Sequence, residues 1–462
     1  MLDNIIFTAI TLAAFGFFAY QFREIWASIK KVGLSIDRTD SPAIRLNRML
    51  LVAFGQQKMF KRVLPAVLHG LIYVGFLIIN IELVEIVIDG VTGTHRILGF
   101  LGPFYDALTA SNEILGFLVI IACVMLLYRR NVMKVKRLHG VEMSRWPKMD
   151  ANIILYTEIV LMFCLFAFNI SEVKLTEPFG GPHHGVFPVS AAFAGLFPEV
   201  TVGNIRAYTV IGEIGWWGHI VGIYLFMNYL PKSKHFHIIM AFPNVYGSKL
   251  DPKGKIDNMD SITAEVKAMM DPTAPIEAAP EGEEMPRLGA RDVTDLPWTN
   301  LMDAYTCTEC GRCTDNCPAN ITGKKLSPRK IIMDTRDRLE ELKRSGNNDA
   351  TSAKKYAEEN NTYLLGEYIT AEELWACTTC NACTEACPVN IDHVSEIVDL
   401  RRYLVMEESA APSELNIMLT NIQNNGAPWP MPAANRFNWA DEVEMPADKV
   451  SSNGTAADLA SV

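Results

Sequence analysis

Eight of the ten cysteines in this chain of 462 residues fall into two copies of one phrase. The first, TCTECGRCTDNCPAN, sets Cys307, Cys310, Cys313 and Cys317 ahead of Pro318. The second, ACTTCNACTEACPVN, sets Cys377, Cys380, Cys383 and Cys387 ahead of Pro388. Three thiolates on one tight loop, with a fourth just past it, suit the soft irons of a cubane cluster. Zinc would have no use for the doubled Cys-Pro ending, and disulfides would not persist in a reducing compartment. The other two, Cys123 and Cys164, stand alone inside apolar runs and read as small apolar side chains.

The spacing matches the two-cluster ferredoxin pattern, in which the fourth cysteine of each phrase ligates the other cluster. One [4Fe–4S] cluster is therefore expected on Cys307, Cys310, Cys313 and Cys387, and the other on Cys377, Cys380, Cys383 and Cys317. Two adjacent cubanes serve electron transfer rather than substrate chemistry. The stretch between the phrases, including KLSPRKIIMDTRDRLEELKRSG, reads as helical.

The histidines are the second set of residues able to do chemistry. An imidazole inside an apolar span is a functional hypothesis by default, and neutral imidazole is the usual axial ligand of a b-type haem. His69 falls in LPAVLHGLIYVGF, and His219 in WWGHIVGIYLFMNYLPKSKHFH, with His235 and His237 beyond Pro231. Eighteen residues separate His219 from His237, five helical turns or roughly 27 Å, so they share a face with room for one haem near each membrane surface. His69 and His237 lie at compatible depths, which makes them the expected pair of the inner haem. Glu82, Glu85 and Glu158 are candidate proton-handling carboxylates.

The elements that must position these groups divide the chain. Apolar runs at about 4–20, 63–88, 112–128, 151–170 and 207–230 each approach the ~20 residues that cross a bilayer. No basic segment or cleavage pattern marks the first as a removable signal, so it reads as a retained span. Sixteen cations crowd the loops 21–62 and 129–150, while the alternate loops hold Arg96, Lys174 and Arg206. On the positive-inside rule the N-terminus is outside and everything after the fifth span is cytoplasmic. The expected domains are a five-span unit at 1–246, a Pro-, Gly- and acid-rich linker at 247–290 with a short helix near 261–270, a ferredoxin-like unit at 291–435, and a partly disordered tail at 436–462. A net charge of −10 argues against nucleic-acid binding.

The five spans and the stretch HIVGIYLFMNYLPKSKHFH resemble the cytochrome b (gamma) subunit of respiratory nitrate reductase. That resemblance implies haem ligation by His69, His219 and His237. It departs at Ile79, where that family has a second span-two histidine, leaving His95 as the candidate partner of His219, with His183 and His184 behind it. The region 290–435, with its twin motifs, helical spacer and NIQNNGAPWPMPAANRFNWA, resembles the C-type iron–sulfur subunit of heterodisulfide reductase and the ETF:menaquinone oxidoreductase-like membrane proteins. No CCG sequence occurs, which implies a separate CCG-domain or flavoprotein partner, ETF among the candidates. The expected molecule is thus an all-α protein of the cell membrane. It combines a five-helix cytochrome b bundle with a helical di-[4Fe–4S] domain, and it passes electrons between that partner and quinone. The alternatives are a membrane subunit of a heterodisulfide-reductase-like or sulfur-metabolism complex, and a haemless anchor for a ferredoxin module.

Overall fold

A computed structural model describes residues 2–176, 185–271 and 287–441. Among the described residues the chain is helical, with isolated β-bridges and no named strand. Met1–Arg402 form one compact unit and Tyr403–Val462 a second.

Five helices have the length and apolarity to cross a membrane: α1 (Leu2–Val32), α3 (Val63–Thr92), α4 (Pro103–Leu127), α5 (Arg145–Thr176) and α7 (Ile205–Tyr229). A short α2 (Pro42–Met49) lies between the first two, and α6 (Pro188–Ala194) precedes α7. Polar groups within the spanning helices are satisfied by neighbouring elements. Glu113 of α4, for instance, accepts Asn169 of α5 at 3.1 Å and two N-terminal amides of α6, Val189 and Ser190, at 2.9 Å each. A carboxylate at a helix N-terminus satisfies donors that have no partner within the helix.

Small residues set the closest approach in the bundle. A Cβ at Gly215 of α7 would lie 2.7 Å from the Phe168 backbone nitrogen of α5, and one at Gly222 would lie 2.6 Å from Leu161. Only a missing side chain lets the two backbones meet there. Apolar side chains such as Ile5, Leu12, Val84 and Phe163 remain exposed, as a lipid-facing surface requires.

Beyond the bundle, the chain turns through α8 (His237–Gly247) and α9 (Asp260–Met270) and returns as a compact set of helices. These are α10 (Trp298–Thr306), α11 (Arg312–Asp315), α12 (Pro318–Ile321), α13 (Pro328–Arg344), α14 (Ala350–Asn360), α15 (Ala371–Trp375), α16 (Ala382–Ala386) and α17 (His393–Met406). In the second unit, α18 (Ser413–Asn425) is followed by a single turn at Asn438–Asp441. The returning chain docks on the face of the bundle that carries the sixteen loop cations. Leu34 and Pro297 form a β-bridge, with Leu34 N donating to Leu296 O at 2.8 Å and Trp298 N to Leu34 O at 3.0 Å. Val52, Ala53, Ala241 and Val245 share one buried core with Ala304, Cys307, Ile332, Cys387 and Val389. Burying that apolar surface binds the two parts at about 25 cal/mol per Å². The helix at Asp260–Met270 agrees with the sequence reading. The residues 272–286, 177–184 and 442–462, which include His183, His184 and most of the expected disordered tail, lie outside the described residues.

Candidate redox centres

The two cysteine loops are built alike. In the first, Glu309 and Gly311 have positive φ (53° and 70°). In the second, Thr379 and Asn381 do (53° and 58°). This left-handed pair wraps the chain so that Glu309 N lies 3.4 Å from Cys307 Sγ and Thr379 N lies 3.3 Å from Cys377 Sγ. Amide donors aimed at sulfur favour the thiolate that a metal requires. A short helix, α11 or α16, follows each loop and carries its third cysteine, and the two helices pack against each other.

That packing brings the fourth cysteines across. Cys307, Cys310, Cys313 and Cys387 line one small cavity together with Pro388 and Val389. Cys317 lies within electrostatic reach of Cys377 and Cys380, and Cys383 within reach of Cys377 and Cys317. Among the described residues no three cysteine, histidine or carboxylate side chains converge tightly enough to hold a single ion. A cubane's four thiolates bind four different irons, so they need not converge on one point. The Cys307 set is mostly buried and faces the bundle, whereas Cys380 is exposed.

Beneath the first set stands a histidine pair. The rings of His69 and His237 lie 6.3 Å apart between centroids, with planes at 42°. With metal–imidazole bonds of about 2.0 Å and a further ~1.1 Å from nitrogen to ring centre, two histidines on opposite sides of one iron place their centroids roughly 6.2 Å apart. His237 Nδ1 donates to Lys234 O at 2.9 Å, which fixes the tautomer and leaves Nε2 as the ligand atom. Burial lowers the His237 pKa, and burial with His237 and His69 beside it pushes His235 down to about 3, so both rings stay neutral. Around the pair, the buried Tyr73 Oη and His235 Nδ1 have no hydrogen-bond partner among the described residues. Orphaned polar atoms about a correctly spaced bis-histidine pair are what a haem would complete.

The other sequence candidates do not converge in this way. His219 is buried, its Nδ1 bonded to Leu161 O at 2.8 Å, and among the described residues no second histidine ring lies against it. Ile79 is buried in an apolar cluster. His95 sits 3.8 Å from Glu172 on the rim of a cavity of 880 Å³ at the opposite end of the bundle, lined also by Phe7, Glu85, Trp216 and Trp217 but not by His219. Arg96 holds that loop in place through Glu82 at 3.2 Å and Glu172 at 2.7 Å, and Tyr105 Oη donates to Glu85 at 2.8 Å. Glu82 and Glu85 therefore serve as interhelical partners, and Glu158 has no ion-pair partner among the described residues.

Sequence reasoning passed over the residues that join the two centres. Glu309, inside the first cysteine loop, accepts from Lys234, three residues before His237, and from Arg336 of α13 at 2.7 Å. Burial works to raise the Glu309 carboxyl, but these two cations hold it at about 2. Asn244 donates to Asp303 at 2.8 Å and to Val389 O at 3.1 Å. One signal was available. Set side by side, CTECGRC and CTTCNAC differ at Glu309 against Thr379, Gly311 against Asn381 and Arg312 against Ala382, so only the first loop carries charges.

The description "4Fe-4S dicluster domain" matches residues 306–391, the segment that holds both loops. The chain is 31% identical over 472 residues to the "Probable iron-sulfur-binding oxidoreductase FadF" of Bacillus subtilis, covering 96% of this chain and 61% of that protein. It is 27% identical to the "EtfAB:quinone oxidoreductase" of Syntrophomonas wolfei, covering 94% and 58%. A "Probable membrane-anchored ferredoxin" of Chromohalobacter salexigens is 27% identical over 281 residues, covering 57% and 38%. The chain thus spans about three fifths of the length of the first two relatives, both of which are named as oxidoreductases. No solved structure matches it.

Proposed function

We propose that this chain is the membrane electron-transfer subunit of an oxidoreductase. In this reading it holds two [4Fe–4S] clusters and one b-type haem, and it links a separate cytoplasmic CCG-type or flavoprotein partner, ETF-like, to the quinone pool. The observation that carries the reading is the 6.3 Å separation of the His69 and His237 rings, next to the Cys307, Cys310, Cys313 and Cys387 cavity. When bound, the clusters and the haem supply one-electron carriers in sequence.

The chain's own residues account for the order. The exposed Cys380 presents the second set to a partner, while the first set is enclosed between α8 and α10. Lys234 ties the two sites, its carbonyl orienting His237 and its ammonium pairing with Glu309. The docking face carries the loop cations, which supports a cytoplasmic side for it on the positive-inside rule. The quinone assignment rests on the name of the Syntrophomonas relative.

Substituting His69 or His237 by alanine should remove the same b-type band from reduced-minus-oxidised spectra of membranes. Both changes should stop quinone reduction and leave both cluster signals in EPR. His219→Ala should spare that band. Full haem content in either of the first two variants would sink the reading. A second reading, a haemless anchor for a ferredoxin module, is favoured by the Chromohalobacter relative and by the lack, among the described residues, of a second histidine against His219; a wild-type spectrum without any b-type band would select it.

A further inference from the structure

We infer that Arg312 and His393 set the reduction potential of the enclosed cluster held by Cys307, Cys310, Cys313 and Cys387: one supplies a positive charge, the other an N–H donor, and both stabilise that cluster once it has taken an electron.

Both residues line the same small cavity as those four cysteines. Arg312 is 5% exposed and His393 1%. A guanidinium stays charged at any accessible pH, and a buried charge without a partner is strongly unfavourable. Among the described residues no carboxylate pairs with Arg312, its Nε has no hydrogen-bond partner, and its Nη1 makes only a long contact of 3.5 Å to Lys58 O. His393 Nδ1 has no partner among them either. Arg329 also lines the cavity, but it is paired with Glu142 at 2.7 Å. The turn that leads into α17 already aims one donor at a sulfur of this set, Ile391 N lying 3.4 Å from Cys387 Sγ, and His393 follows two residues later. A cluster with four thiolates is negatively charged and becomes more so on reduction, and its potential responds to nearby charge, to hydrogen bonds on sulfur and to solvent.

The internal repeat shows that neither residue is needed to build a cysteine loop. Aligning the two phrases on their cysteines sets Arg312 against Ala382 and, past the Cys-Pro pair, His393 against Gly323. With the fourth cysteines crossed, Ala382 and Gly323 are the positions that flank the second cluster, so both differences fall on one cluster. The second set has the exposed Cys380, where water can solvate the added charge. Its own arginine, Arg401, directs Nε and Nη2 to the carbonyls of Leu374 and Cys377. The enclosed set takes its stabilisation from Arg312 and His393 instead.

The inference rests on the two-cluster reading and holds with or without haem. In membranes containing the full chain, the midpoint potential of each cluster is titrated by EPR for wild type, Arg312→Gln, Arg312→Lys and His393→Leu, and the two signals are assigned with Cys317→Ser. Arg312→Gln should lower the reduction constant of the Cys307 cluster about tenfold, which is about 59 mV for one electron. Arg312→Lys, which keeps the charge, should stay within about threefold of wild type, and His393→Leu should lower the constant about threefold. The cluster on Cys377, Cys380 and Cys383 should move less than half as far in each variant. An unchanged Cys307-cluster potential in both Arg312→Gln and His393→Leu overturns the inference, as does an equal shift of both clusters. Loss of the Cys307 cluster in Arg312→Lys as well as Arg312→Gln also overturns it, because the arginine would then build the loop rather than set its potential. Wild-type membranes lacking two [4Fe–4S] signals overturn the cluster reading itself.

Discussion

Replacing Glu309 tests the seam between the two parts of the molecule. Its carboxylate is buried and accepts from Lys234 and Arg336, which belong to the segment before α8 and to α13. Breaking a buried ion pair by removing one partner costs about 3–5 kcal/mol. Here both stranded cations keep a weaker partner, Asp150 at 3.8 Å from Lys234 and Asp337 at 3.6 Å from Arg336. The lower end, about 3 kcal/mol, is therefore expected for Glu309→Ala, which is roughly a hundredfold in a local opening equilibrium. Hydrogen exchange in detergent should show this in peptides spanning 300–320 and 230–245, with little change in the spanning helices. Glu309 also has φ 53°, and a residue with a Cβ pays about 1 kcal/mol in that region. Glu309→Gly loses the same pairs but relieves the backbone, so it should open about fivefold less than the alanine variant. If Glu309→Ala changed exchange by less than threefold with clusters retained, the seam would be held by apolar contact alone and the electrostatic account would fail.

Two further outcomes can be measured directly. Cys317→Ser should remove the EPR signal of the cluster assigned to Cys377, Cys380 and Cys383 and spare the other; selective loss of the Cys307 cluster would contradict the crossed ligation. Glu396 of α17 is buried, accepts from Thr335, and is pushed up to about 8 by burial. Because its folded pKa lies above the unfolded value, the folded state binds the extra proton. Its contribution is complete below about pH 4.5 and declines by at most about 1.4 kcal/mol per unit as pH rises to about 8. The temperature of cluster loss should fall across that window in the parent chain and less in Glu396→Gln; identical profiles would show that Glu396 does not titrate there.

Much of the architecture was legible in the residues because its signals are local. A span needs only length and apolarity, and those runs marked all five helices, though not the partners of the polar groups within them, such as Asn169 and Ser190 for Glu113, which come from other elements. Thiolate spacing is likewise carried by one loop, so both cysteine phrases could be read from the chain itself. The crossing of Cys387 toward Cys307 was foreseeable by analogy, but its surroundings were not. His69 and His237 could be named from depth and periodicity, while the 6.3 Å between their rings depends on how α3 and α8 pack. The docking of residues 291–402 onto the loops after α1 and α4 has no sequence signature, because Leu34, Lys58 and Arg137 meet their partners across more than 150 positions. Periodicity and spacing report what one segment does by itself. Which buried charges find a counter-charge, as Glu309 does in Lys234 and Arg336, is decided only when distant segments are brought into one low-dielectric volume, where an unmatched charge is too costly to leave alone.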